Sequence, residues 1–245
     1  MSDSKLVVYT KISPNCNHPR NHAIDTVTIH CMAGNLSVER CGALFAQSST
    51  QASSNYGIGS DGRIALYVDE ANRSWCTSSA ANDHRAVTIE VANIEAQEPY
   101  RISDAAYKSL IALLVDICKR NGIPRLLWQA DKSLIGNTAR QNMTVHRWFA
   151  AKSCPGQWLY EHHGQIAADV NKVLAADEKK KTEEDDDMVR WKTLNDVPAG
   201  YYRTEAQRLM KEGVLKGKAD GSLDITEDML RTILVTERMV KAQNK

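Results

Sequence analysis

The sequence predicts an α/β fold with a small helical unit after it. Three observations carry that expectation. Strand-like and helix-like segments interleave over residues 1–175. Two of the strands, DTVTIHC at 25–31 and AVTIEVA at 86–92, place apolar and polar residues alternately. A charged stretch, ADEKKKTEEDDDM at 176–188, then separates this region from a shorter tail with its own helical periodicity.

Composition sets the outer limits. The chain has 245 residues, 42% hydrophobic and 25% charged, which suits one medium domain plus a small one. A net charge of +1 offers no basic excess, so a nucleic-acid partner is not expected. No apolar stretch reaches the length of a membrane span, and no membrane insertion is expected. The opening residues, MSDSKLVVYTKISPN, lack an apolar segment of signal-peptide length. Synthesis in the cytoplasm without a signal peptide is therefore the expectation. Six cysteines fit that compartment as reduced thiols, one of them a candidate metal ligand.

The elements follow in order. Asp25 to Cys31 reads as a strand with Val27, Ile29 and Cys31 on one face and Thr26, Thr28 and His30 on the other. Asn35 or Ser37 caps a short helix carrying Val38, Cys41, Leu44 and Phe45. Asn55–Gly59 and Arg63–Val68 form a hairpin around Asp61-Gly62. Ala86 to Ala92 is a second buried strand. A long helix starts at Ser103 and Asp104, carries the stripe Tyr107, Leu110, Ile111, Leu114, Ile117 and Cys118, and stops at Gly122 and Pro124. A short strand is expected at Arg125–Trp128 and a closing helix from about Gln157 to Leu174. Residues 176–188 read as a charged, solvated linker or helix extension.

Catalytic zinc requires three protein ligands and an open position. His30 lies on the less apolar face of its strand. His146 and Cys154 are eight residues apart, flanking a turn that ends in Pro155-Gly156, so a short loop brings both to one point. Taken singly, each has an ordinary alternative: a hydrogen-bonded strand histidine, or a core cysteine.

Four motifs in this order, TIHCMAG, SNYGIGSDGRI, AVTIEVAN and HRWFAAKSCPG, resemble the type-2 N-acetylmuramoyl-L-alanine amidases. These share their fold with the peptidoglycan-recognition proteins. The resemblance covers about residues 20–174. It implies a central mixed sheet flanked by helices, zinc held by His30, His146 and Cys154, and Tyr56, Glu90 and Lys152 around the open site. Glu90 is then the general base, and Lys152 and Tyr56 donate to the developing oxyanion. Without the resemblance these three read as a strand-edge glutamate, a surface lysine and a core tyrosine. The sequence departs from the family pattern after Trp75: many members carry a histidine there, and Cys76 stands in its place. That position is expected to line the substrate groove, as His84 also could. His18, His22 and His84 receive no metal role.

The tail, 189–245, carries two helical patterns, one with Ala206, Leu209, Met210 and Val214, the other with Met229, Ile233 and Val240. Gly217, Asp220 and Gly221 form the turn between them. NDVPAGYYRTEAQRLMKEGVLKGKADGSLDIT resembles a single surface-layer-homology repeat, which implies binding to a secondary cell-wall polymer. Dimerisation through Met210, Leu215, Ile233 and Leu234, or plain packing, are the alternatives.

The layout resembles a phage or prophage endolysin: a peptidoglycan amidase that acts on the wall after release. An intracellular muropeptide-recycling amidase shares the fold, but the extra C-terminal unit argues against it. A non-catalytic recognition module would lack a metal ligand, and Cys154 is present. A scaffold with a structural zinc would need a fourth protein ligand, and the sequence offers no clear one.

Overall fold

The computed structural model describes residues 3–187, 189–218 and 222–243. The chain divides into two compact units, Met1–Ala176 and Asp177–Lys245.

The first unit is built on a mixed six-stranded sheet. Its strands are β1 (Tyr9–Thr10), β3 (Thr26–Cys31), β4 (Tyr56–Ile58), β5 (Ile64–Leu66), β7 (Ala86–Val91) and β8 (Met143–Thr144), in the order β1-β5-β4-β7-β3-β8. Only β4 and β5, the expected hairpin, run antiparallel; every other pair is parallel. A two-stranded ribbon, β2 (Cys16–Asn17) with β6 (Arg73–Ser74), lies apart from the sheet.

Helix α1 (Val38–Phe45) is capped by Ser37, whose hydroxyl accepts from the Arg40 amide, and the short helix α2 (Ala80–Arg85) by Ser79, whose hydroxyl accepts from the Asn82 amide. Helix α3 (Asp104–Asn121) is capped by Ser103 and ends at Gly122, φ +66°, whose N–H reaches the Cys118 carbonyl. Leu110, Leu113, Leu114 and Ile117 of α3 share one core with Ile29, Ile89, Ile58 and Tyr56 of the sheet. Helix α4 (Gln157–Asp187) adds Leu159, Ile166, Val170 and Leu174 to that core.

The central strands differ on their two faces. Beside Val27, Ile29, Val87 and Ile89, the alternate positions Thr28 and Thr88 are buried in a polar network. Thr28 meets Thr144 Oγ1 at 2.7 Å, and the Asn82 amide donates to Thr28 Oγ1 at 3.1 Å. Thr88 meets Ser74 Oγ at 2.7 Å and receives Asn55 N–H at 3.0 Å. The buried hydroxyls of Thr28 and Thr88 therefore both have partners, as buried polar groups require.

One expectation about the first unit needs correction. Residues 125–128 form no strand: Leu126 N–H donates to the Asn171 side chain and Leu127 N–H to the Asn142 side chain, so asparagine amides replace a ladder. The sixth strand is β8 instead. Of the two readings of 176–188, charged linker or helix extension, the second holds: α4 continues as far as Asp187, because Ala175, Ala176, Glu178, Lys179 and Lys180 are strong helix formers. Met188 lies outside the described residues.

The second unit holds β9 (Arg190–Trp191), α5 (Tyr201–Lys211), β10 (Ile225–Thr226) and α6 (Glu227–Gln243), with β9 and β10 antiparallel. Its core comprises Trp191, Val197, Ala206, Leu209, Leu215, Leu223, Ile225, Leu230 and Leu234. On α6 the buried stripe is Leu230 and Leu234; Met229 and Val240 are exposed. Leu215 and Leu234 are therefore committed to this core, so the dimer face drawn from sequence loses two of its four residues. Gly217 has φ +68°; Asp220 and Gly221 lie outside the described residues.

Candidate active site

Two adjacent parallel strands set the frame. His30 on β3 pairs directly with Glu90 on β7, and both side chains rise from the polar face. Strand β8 pairs with β3 at Val27 and Thr28, which delivers the short 3-10 turn His146–Trp148 to the end of β3. The loop after it returns at once: Arg147 N–H donates to the Cys154 carbonyl at 3.1 Å, and the Arg147 guanidinium to the Ser153 carbonyl at 2.5 Å. The eight-residue spacing becomes a closed loop that carries His146 and Cys154 to the same point.

There the ligand atoms of His30, His146 and Cys154 lie within 4.8 Å of one another. His30 Nδ1 is 3.2 Å from Cys154 Sγ and 3.9 Å from Glu90 Oε1. The His30 and His146 rings are 5.1 Å apart. His146 Nε2 also meets Ser78 Oγ at 3.3 Å.

The electrostatics are those of a site short of positive charge. Burial, then the neighbouring His146 and His163, hold His30 well below the usual imidazole range. Burial and the charge of Lys152 lower His146 as well. Both rings are therefore neutral, the form that ligates a metal. Burial drives Glu90 well above the usual carboxylate range. A hydrogen bond with Cys31, with burial and the Glu90 charge, raises the Cys154 thiol. His30 Nε2 and Glu90 Oε2 are buried without a hydrogen-bond partner. Two imidazoles and a thiol with unsatisfied buried atoms beside them fit a divalent cation with nitrogen and sulfur preference.

Lys152 is exposed on the closing loop, near enough for its charge to act on His146. Tyr56 is elsewhere. It pairs with Ile89, not with Glu90, so alternation turns its ring to the apolar face. Its hydroxyl donates to Glu70 at 2.6 Å and accepts from Ser4 N–H at 2.9 Å. Tyr56 is a core residue, and the oxyanion role expected for it is withdrawn. The tyrosine on the site face is Tyr67, packed under Gly57, where a Cβ would stand 2.4 Å from its ring. Its hydroxyl is committed to the Val38 carbonyl at 2.7 Å.

Other residues emerge only from the structure. Cys76 does not merely line a groove: Sγ stands 4.0 Å from Glu90 Oε1. His163 is fully buried, donates Nδ1–H to the Leu159 carbonyl, and packs its ring on Trp128. No sequence signal marks its nearness to His30. Among the spare histidines, His84 accepts from Asn21 N–H, His18 meets Cys16 Sγ, and His22 meets the Ala23 carbonyl.

Several solved structures are similar to the chain. A structure of PlyL matches at 12% identity over 66% of this chain and 96% of that one, with a TM-score of 0.49. A structure of AmpD matches at 18% identity over 71% of this chain and 99% of that one, with a TM-score of 0.48. The endolysin N-acetylmuramoyl-L-alanine amidase LysCS from Clostridium intestinale URNW matches at 15% identity over 61% and 88%, with a TM-score of 0.41. Comparison with curated proteins gives no match. The family model described as N-acetylmuramoyl-L-alanine amidase matches residues 20–157, a segment that holds every residue of the candidate centre. That segment is more than half of the 245 residues, and the chain belongs to the N-acetylmuramoyl-L-alanine amidase family.

Proposed function

We propose that this peptidoglycan amidase is a zinc enzyme of the endolysin type, cutting the amide between the lactyl group of N-acetylmuramic acid and L-alanine. The observation that carries the reading is the meeting of His30, His146 and Cys154 beside Glu90, inside the family-matched segment. His30, His146 and Cys154 would hold the zinc. When bound, zinc supplies Lewis acidity at the scissile carbonyl and lowers the pKa of water toward neutrality.

The chain's own residues supply the rest. Glu90 accepts the proton of the attacking water and returns it to the leaving amine of L-alanine. Its burial favours holding that proton between the two transfers. Lys152, at the rim, donates to the oxygen that gains charge as the carbonyl is attacked. The loop of Trp75–Ser79 closes one wall, fixed by Asp83, which accepts from the amides of Cys76 and Thr77.

The second unit has its own core and two helices, which supports a separate role for residues 189–245: retention on the wall through a secondary polymer. Release to the wall by a phage-made route completes the endolysin reading.

The test is digestion of purified peptidoglycan with mass spectrometry of the fragments, alongside metal analysis of the enzyme. Free stem peptides starting at L-alanine and about one zinc per chain are expected. Cleavage within the glycan, or between amino acids of the stem, would overturn the reading.

A further inference from the structure

His30 and His146 reach the centre from unlike supports. His30 rises from strand β3 and is fully buried. His146 opens a 3-10 turn of three residues, and its side chain is only partly buried. A strand fixes a side chain by its register, whereas a short turn leaves an imidazole free to rotate about χ2. The outer nitrogens of the two rings differ as well. His30 Nε2 has no hydrogen-bond partner among the described residues. His146 Nε2 lies 3.3 Å from Ser78 Oγ, across 68 positions of chain.

Ser78 is brought there by a loop fixed on both sides. Trp75 N–H donates to Ser53 Oγ at 3.0 Å. The buried Asp83 carboxylate accepts from the amides of Cys76 at 3.0 Å and Thr77 at 3.1 Å, and from the Thr77 hydroxyl at 2.6 Å. Ser79 then caps α2. Between these anchors Ser78 adopts φ +63°, a left-handed conformation that serine occupies at a cost. Such a conformation persists only where the surroundings over-determine it. Its result here is a hydroxyl set against the His146 ring.

We propose that Ser78 is a positioning residue for the metal centre: its hydroxyl accepts the Nε2–H of His146, which leaves the Nδ1 lone pair of that ring for the ion. A neutral imidazole carries one proton on its two nitrogens, so a partner that accepts at Nε2 sets the tautomer. The other ring presents the same nitrogen, since His30 Nδ1 stands 3.2 Å from Cys154 Sγ. Ligating histidines generally rest their second N–H on such a partner, which fixes the ring's orientation and raises its basicity. Ser78 is thus not a ligand; it acts through one. This rests on the metal-centre reading above, and the outcomes below separate the two.

Long-range proton–nitrogen correlation spectra of the zinc-loaded full chain report the state of each ring nitrogen. His146 should show a protonated Nε2 and a metal-bound Nδ1, and its Nε2 proton should exchange faster in Ser78→Gly. Zinc affinity, measured by competition with a chromophoric chelator, should fall about tenfold in Ser78→Gly. That is the lower end of the roughly 10–100-fold such partners are worth, because Ser78 is exposed and water replaces part of the bond. The thermal midpoint of the metal-free variant should hold or rise, because glycine adopts φ +63° freely. A metal-bound Nε2 on His146, or unchanged zinc affinity in Ser78→Gly, overturns the proposal and leaves the three-ligand centre standing. So does a weaker affinity accompanied by a lower midpoint, which marks a purely structural serine. A parent chain that binds no zinc overturns both readings.

Discussion

His30 and Glu90 face one another across the parallel register of β3 and β7, with Nδ1 3.9 Å from Oε1. The proposed ligand and the proposed base are therefore set by one backbone pairing, not by flexible loops. Glu90→Gln is nearly isosteric and should leave the sheet and the metal in place. Turnover on soluble fragments should fall about 10²–10⁴-fold, the usual worth of a positioned base. Steady-state kinetics with metal content measured on the same sample decides it. Near-normal turnover with full zinc removes Glu90 from the base role.

Cys154→Ser replaces a thiolate by a neutral hydroxyl in the three-residue donor set. Zinc retention through gel filtration should be lost or greatly weakened, while the fold survives, since Cys154 only packs against the edge of the core. Full zinc in the variant places the centre elsewhere.

Tyr56 and Lys152 now separate cleanly. Tyr56→Phe removes one donor from buried Glu70, which keeps Arg120 and Asn121. A stability loss of about 1–3 kcal/mol is expected, with turnover unchanged. Lys152→Ala should do the reverse: unchanged stability and a fall of about 10²–10³-fold in turnover, the effect of one oxyanion donor. Urea denaturation and kinetics on both variants give the four numbers.

How much of this was legible in the sequence depends on the range of the interaction. Alternation placed His30 and Glu90 on polar faces, because a strand's period is local. It did not place Tyr56, because the face a hairpin residue shows depends on its register with a strand more than thirty positions away. The helix caps Ser37 and Ser103 and the stop at Gly122 were legible, since capping is a local competition for backbone groups. Strand β8 was not: two residues make no pattern, and its pairing with β3 is purely tertiary. On α6 the stripe was misread by one residue, since Met229 and Leu230 are equally apolar and only packing against α5 and β9 selects between them. Cys76 was legible as a departure from the family, but its approach to Glu90 was not.

His163 gives the fold a dependence on acid. Burial pushes its pKa down to about 4, against about 6.5 in an unfolded chain. The folded state keeps the ring neutral while the unfolded state binds a proton. Its contribution is complete above about pH 6.5 and is lost as pH falls toward about 4, to a limit of about 3 kcal/mol. His163→Leu should flatten the stability profile in that window. Urea midpoints of metal-free parent and variant at pH 7 and pH 4.5 test this; equal slopes would exclude His163 as the source.

The boundary between the units bears on where the wall is recognised. The apolar residues that α4 gives to the first core end at Leu174, and the second core starts at Trp191. A chain ending at Ala176 therefore keeps every proposed catalytic residue and the complete first core. It should fold and cleave soluble fragments at close to the full rate. Intact cells are a different substrate. There a second binding site raises local concentration, and linkage of this kind is worth about 10²–10⁴-fold in avidity without touching the chemistry. Truncation should thus reduce lysis of whole cells far more than hydrolysis of fragments. Residues 189–245 alone should sediment with purified walls. If that fragment stays in the supernatant and self-associates on a sizing column, it is a dimerisation device, one that must work without Leu215 and Leu234. If the shortened enzyme loses activity on fragments as well, the second unit contributes to the catalytic fold and the boundary after Ala176 is not a functional one.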